Sequence, residues 1–179
     1  MAAGKSRLLV VDGYNVLGAW PELSKGKPLA DARDALIHRL HDYAGYSGQQ
    51  IVLVFDAWQS DRAERSTETR GPLTVVFTQK GETADHYIER LCDEHARQVE
   101  LGRLELRVAT SDGTEQTVVF GRGAVRISSR ELIYEMRQAK QAGAQYAHPI
   151  SRASGRSTIM ERVPDEVRAR LEKLRRGEE

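Results

Sequence analysis

The sequence predicts an α/β fold of three layers, with helices on both sides of a central, mainly parallel sheet. Two observations carry that reading. Short apolar runs rich in Val, Ile and Leu recur along the chain, and segments with apolar residues at helical spacing separate them. Runs such as RLLVV are apolar and β-branched rather than alternating, as strands buried on both faces are. Strands alternating with helices imply right-handed βαβ crossovers.

Taken in order, Arg7–Val11 (RLLVV) is the first predicted strand and ends at Asp12-Gly13. The segment Asp31–Tyr46 reads as a helix, with Ala32, Ala35, Leu36, Leu40 and Tyr43 on one face. Gln50–Phe55 (QIVLVF) is the second strand and ends at Asp56. Residues 59–72 are polar and alternate in charge, which predicts a mobile loop. Leu73–Phe77 is the third strand, followed by a helix over Thr83–Leu101 that groups Ile88, Leu91, Cys92 and Val99. Leu104–Ala109 is the fourth strand and runs into Thr110-Ser111-Asp112; Ala124–Ile127 is a short fifth. A helix over Ser128–Ala142 collects Leu132, Ile133 and Met136. After an irregular stretch, Pro164 opens a last helix with Val167, Leu171 and Leu174 at helical spacing.

The chain has 179 residues, about one domain's length and enough to bury a core. We read residues 1–179 as a single domain, with 144–179 a C-terminal extension packing on it. The 27 Lys and Arg against 26 Asp and Glu give a net charge of +1, so any nucleic-acid face must come from local clustering. The single cysteine, Cys92, excludes a disulfide framework or zinc finger and reads as a buried thiol. No signal-peptide or transmembrane pattern is evident, which predicts a cytoplasmic protein without membrane contact.

The acids carry the chemistry. Three strands run into an aspartate, giving Asp12, Asp56 and Asp112, and Asp85 stands at the start of the helix after the third strand. Open parallel sheets bind ligands at the carboxyl ends of their strands, so four acids converge on one edge. Any one of them alone reads as a helix cap or turn residue. Together they repel, which a proton or a cation must resolve, and hard oxygen ligands suit Mg²⁺ or Mn²⁺. Such an ion can activate water and neutralise a phosphodiester. There is no GxxxxGK[ST] phosphate loop and no GxGxxG, and Asp12-Gly13-Tyr14 lacks the Asp-x-Asp of aspartyl-phosphate enzymes. A receiver domain would want an adjacent acidic pair where the first strand here offers Asp-Gly.

Read in order, Asp12-Gly13-Tyr14-Asn15, Val54-Phe55-Asp56-Ala57, Phe77-Thr78 through Glu82-Thr83-Ala84-Asp85, Ile88-Glu89, and Ala109-Thr110-Ser111-Asp112 with Glu115-Gln116 resemble the YacP-like branch of the NYN-domain ribonucleases, themselves similar to PIN nucleases. The resemblance spans about residues 7–175. It implies a PIN-like fold and a metal-dependent endoribonuclease. Asp12, Asp85 and Asp112 are then the acids that hold Mg²⁺ or Mn²⁺, and Asp56 assists them. Asn15 either orients a ligand or water or caps a helix after the DGYN turn. Ser111 or Thr110 can hydrogen-bond a metal acid. Glu82 either joins the site or caps the helix, and His86 is a further neighbour of Asp85. The resemblance also implies RNA as substrate, with mRNA on the ribosome as a context and the ribosome as a partner.

Phosphates need cations. Candidates are Arg62, Arg65 and Arg70 in the polar loop, Lys80 ahead of the GETAD stretch, and Arg122, Arg126 and Arg130, with Lys80 and Arg122 nearest the motif ends. Tyr14, Trp20 and Trp58 are candidates for stacking on bases, Tyr14 first because it adjoins Asp12. The competing reading is a non-catalytic RNA- or ribosome-binding module whose acids are structural; a small-molecule phosphohydrolase would want a closed pocket instead.

Overall fold

The apolar runs become strands and the amphipathic segments become helices close to where the sequence places them. The computed structural model describes residues 4–57, 64–110 and 123–146, and the side chains up to 143. The strands are β1 (Ser6–Asp12), β2 (Gln50–Phe55), β3 (Ser66–Arg70), β4 (Leu73–Phe77), β5 (Leu104–Thr110) and β6 (Val125–Ser128). The helices are α1 (Gly13–Ala19), α2 (Pro21–Ser24), α3 (Leu29–Ser47), α4 (Ala84–Glu100) and α5 (Ser129–Tyr146). By contacts the chain divides into Met1–Gln145 and Tyr146–Glu179. Residues 144–146 of the expected C-terminal extension belong to α5, and the rest of it, with the helix after Pro164, lies outside the described residues.

The sheet order is β3-β4-β2-β1-β5-β6. β1 pairs in parallel with β2 and β5, β2 with β4, and β5 with β6. Side chains alternate across the sheet. Leu9 and Val11 of β1 join Leu53, Phe55 and Val75 beneath α1, α2, α3 and α5, where Leu36, Leu40, Leu132 and Met136 meet them. Leu8 and Val10 point the other way, with Leu106 and Val108, onto Ile88 and Cys92 of α4. The result is the expected three-layer α/β/α arrangement. Each fully buried Leu, Ile, Val or Phe contributes roughly 1.5–3 kcal/mol by leaving water. Cys92 is among the core residues, its thiol pushed up to about 11 by burial. Among the described residues, no helix is long and apolar enough to cross a membrane.

Two parts of the sequence reading are corrected. Residues 59–72 are not loop throughout, because Ser66–Arg70 forms β3, which pairs antiparallel with β4 across the Gly71-Pro72 turn. Gly71 has φ 57°, in the left-handed region that favours glycine. Most of β3 is exposed, so its polar composition is that of an edge strand. The short helices α1 and α2 also replace what the sequence leaves unassigned between β1 and α3. α3 ends where Gly48 turns left-handed, φ 65°, and donates its backbone N–H to the Ala44 carbonyl.

Connectivity fixes where a ligand belongs. From β1 the chain passes through α1–α3 to β2 on one side of β1, whereas α4 carries it from β4 to β5 on the other side. Strand order therefore reverses at β1, and its carboxyl end is the topological switch point. Asp12 is the last residue of β1 and Gly13 the first of α1. A Cβ on Gly13 would lie 2.5 Å from Cε1 of Phe55, whose ring is fully buried. Gly13→Ala is expected to lower stability by about 1–3 kcal/mol through overpacking. The measurement is a urea midpoint at constant m-value; a midpoint equal to wild type would mean that the ring yields freely.

Candidate active site

The carboxyl edge of the sheet is built from strand ends, and each brings a polar residue. Asp12 caps α1, its Oδ1 accepting the backbone N–H of Asn15 at 3.3 Å. The cap is therefore Asp12, not Asn15. Asn15 lies inside α1, where its Oδ1 accepts a hydrogen bond from Ser129 Oγ at 2.8 Å. Ser129 is buried at the start of α5, and Ser128 and Glu131 close a reciprocal capping box there.

Asp56 follows β2. Its Oδ2 accepts the backbone N–H of Ala84 at 3.3 Å, which ties the end of β2 to the start of α4. Thr83 caps α4 by accepting the His86 N–H, so Glu82 is not the cap. Asp85 stands exposed in the first turn of α4, where the helix dipole favours a negative charge. Thr78, fully buried, accepts the Ala57 N–H at 2.9 Å and donates its own backbone N–H to the Phe55 carbonyl, binding the ends of β2 and β4 together.

The electrostatics follow from this placement. Burial, then the charges of Asp85 and Asp56, raise the Asp12 carboxyl from 3.8 to about 6, although the hydrogen bond from Asn15 pulls it down. Three acids from three units thus share one edge. Among the described residues, no group of three or more His, Cys, Asp or Glu side chains is close enough to hold one ion. Asp112, Ser111 and Arg122 lie outside the described residues, as do Arg62 and Trp58. The described acids fit an open site. Mg²⁺ keeps several waters and takes only one or two carboxylates together with substrate phosphates, and a cation would offset the burial and the neighbouring charges that lift Asp12.

Other sequence candidates fall in different places. Tyr14 is half-buried, its ring 5.2 Å from that of Phe55 and its hydroxyl bonded by Arg33 at 3.0 Å. Trp20 is buried and serves packing. Lys80 is exposed in the turn between β4 and α4, on the acid edge. Arg70 is not on that edge. In the antiparallel β3, Ser66 pairs with Phe77 and Arg70 with Leu73, so Arg70 lies four residues away, toward the opposite end of the sheet, and pairs with Glu68 at 2.8 Å. That is roughly 13 Å at the rise of a strand. Glu82 does not join the acids either. It is buried, and burial raises its carboxyl, but hydrogen bonds from Arg65 and Arg90 outweigh that and hold it below the usual range. His86 is exposed beside Asp85. Arg33, half-buried at the start of α3 and 5.7 Å over the Phe77 ring, is a cation the sequence reading passes over.

The model of the YacP-like NYN domain family matches residues 9–176 of this chain. The chain belongs to that family. It is 37% identical over 173 residues to the uncharacterized protein YacP of Bacillus subtilis (strain 168), covering 96% of this chain and 98% of that protein. The crystal structure of Rae1 (YacP) from Bacillus subtilis matches with a TM-score of 0.66 at 35% identity, covering 95% of each chain. A crystal structure of a tryptophan-to-leucine mutant of that same protein matches with a TM-score of 0.65 at 33% identity, covering 94% of this chain and 99% of that one. The YacP-like NYN domain thus has a PIN-like, nuclease-type fold, and nucleases of this kind generally use divalent metals.

The raised Asp12 carboxyl has a consequence for stability. An acid whose native pKa lies above its unfolded value binds more protons when folded, so stability falls as pH rises between the two values, here from about 4 to about 6. The cost is fully present above that window and absent below it. In metal-free buffer, Asp12→Asn, which keeps a capping oxygen, is expected to be more stable than wild type at pH 7.5 by on the order of 1–3 kcal/mol, with the difference closing at pH 4. Urea midpoints at the two pH values measure it. A variant less stable than wild type at pH 7.5 would mean that the charged cap outweighs the cost of burying the carboxylate beside two other acids.

Proposed function

We propose that this protein is a metal-dependent endoribonuclease that hydrolyses phosphodiester bonds in RNA, with mRNA on the ribosome as its substrate context. The observation that carries the reading is the meeting of Asp12, Asp56 and Asp85 at the switch point of a PIN-like sheet, close enough that the second and third raise the first. Membership in the YacP-like NYN family supports RNA as the substrate class.

In this reading Asp12 and Asp85, with Asp112, hold Mg²⁺ or Mn²⁺. The ion supplies charge neutralisation at the scissile phosphate and acidifies a water. Asp56 holds the Ala84 backbone and so fixes the turn of α4 from which Asp85 projects. Ser129 donates to the Asn15 carbonyl oxygen, and in this reading the Asn15 amide N–H groups donate to a water or phosphate oxygen. Lys80 offers a charge to the RNA backbone, Tyr14 a ring edge to a base, and Ser111 and Arg122 complete the substrate contacts.

RNA cleavage by wild type is expected to require Mg²⁺ or Mn²⁺ and to stop in EDTA. Asp12→Asn or Asp85→Asn is expected to reduce it more than about 100-fold while the fold is kept. The same metal should raise the wild-type unfolding midpoint and not that of Asp12→Asn. Parallel thermal unfolding and cleavage of an RNA oligonucleotide, with and without ribosomes, read both. Full activity in both variants would end the proposal. RNA binding with no cleavage under either condition would favour a non-catalytic RNA-binding module.

A further inference from the structure

Beside the acids lies a second charged group that the proposed chemistry does not use. Glu82 is 8% exposed and stands just ahead of α4, whose first turn carries Asp85. Two guanidinium groups converge on it. Arg65 donates from Nε at 3.1 Å and from Nη2 at 2.5 Å, one to each carboxylate oxygen, and Arg90 donates from Nη2 to Oε1. Both lie over the ring of Tyr87, at 4.8 Å and 5.7 Å from its centroid. Arg65 immediately precedes β3, at the end that pairs with Phe77, so the group belongs to the same sheet edge as the acids.

One carboxylate between two guanidinium groups leaves a net positive charge. A single bidentate arginine would already satisfy a buried glutamate. The second is half-exposed, with 50% of its side chain open to solvent, and as an ion pair alone it adds little to stability. Arg65 is 30% open. Each guanidinium carries five N–H donors, and Glu82 takes only two nitrogens of Arg65 and one of Arg90. Held by Glu82 and stacked on Tyr87, the two groups have already lost rotamer freedom, so a ligand would not bear that cost. Glu94, whose charge reaches both Arg65 and Tyr87, limits the positive patch away from the sheet edge.

We propose that Arg65 and Arg90, clamped by Glu82 over Tyr87, form a fork that binds a backbone phosphate of single-stranded RNA next to the acid cluster. This rests on the ribonuclease reading for its ligand. It gives the substrate strand an entry on the β3 side of the acids, where Arg70 does not reach.

The test is the affinity of a fluorescent single-stranded RNA oligonucleotide, measured against salt in EDTA, on an Asp12→Asn background so that the RNA is not consumed. Arg90→Ala leaves Glu82 paired with Arg65 and should therefore stay folded, which its unfolding midpoint checks. It is expected to weaken binding about tenfold at low salt and to reduce the slope of log K against log salt by about one. Arg90→Lys should keep the slope and lose part of the affinity. Arg103→Ala, the same charge change in the turn ahead of β5 at the opposite sheet edge, should change neither. A folded Arg90→Ala with wild-type affinity and slope would overturn the fork, as would equal losses in Arg103→Ala or RNA that does not bind at all. Cleavage, assayed separately with Mn²⁺ in the wild-type background, tells the two readings apart. Loss of binding in Arg90→Ala without wild-type cleavage keeps the fork and removes the nuclease; cleavage with unchanged binding does the reverse.

Discussion

The ring of Phe55 fills the space beneath the turn that carries Asp12, and the geometry of the acid edge depends on that contact. Phe55 is the last residue of β2, fully buried, with Phe77 stacked against it at 5.3 Å and Tyr14 tilted across it at 5.2 Å. The ends of β1, β2 and β4 are therefore set against one ring. Gly13 must be a glycine for α1 to start where it does, and α1 must start there for Asp12 to act as a cap and an acid of the open edge at once. Asp56, one residue beyond the ring, then anchors α4. Apolar packing positions the polar edge, as close-packed interiors transmit position with little give.

Much of this is legible in the sequence. β1, β2 and β4 are dominated by apolar residues because both of their faces are largely buried, β5 alternates at its start and turns apolar where it is buried on both faces, and α3, α4 and α5 are long enough for their apolar faces to recur. Asp12, Asp56 and Asp85 can be read as one edge because parallel strands deliver their carboxyl ends together. α1 and α2, of seven and four residues, are too short to display a helical period. β3 is solvated on both sides, so it has the composition of a loop. Missing that strand misplaces a cation, because an antiparallel turn at Gly71 reverses the chain and sends Arg70 away from the edge to which a loop would have carried it.

Long-range polar pairs are the other blind spot. Ser129 and Asn15 are 114 positions apart, and no local pattern joins them. Arg90 reads as one more solvated charge on an amphipathic helix, and only the fold brings it onto Glu82 beside Arg65. Glu82 itself stands out in the sequence, but as a candidate ligand or cap. The structure gives it two arginine partners, which makes it an organiser of cations and separates it from the acids a few residues away.

The edge strand has one more consequence. A parallel sheet that ended at β4 would present Leu73, Val75 and Val76 along an open row of unpaired backbone donors and acceptors, a template for another chain's strand. β3 covers that row and presents in its place a short strand bearing Glu68 and Arg70. Charged side chains on an outer strand discourage a further strand from adding. Arg70, which does not reach the acids, thus stands where it protects solubility, and the sheet is closed to strand-by-strand growth on this side while its carboxyl edge stays open.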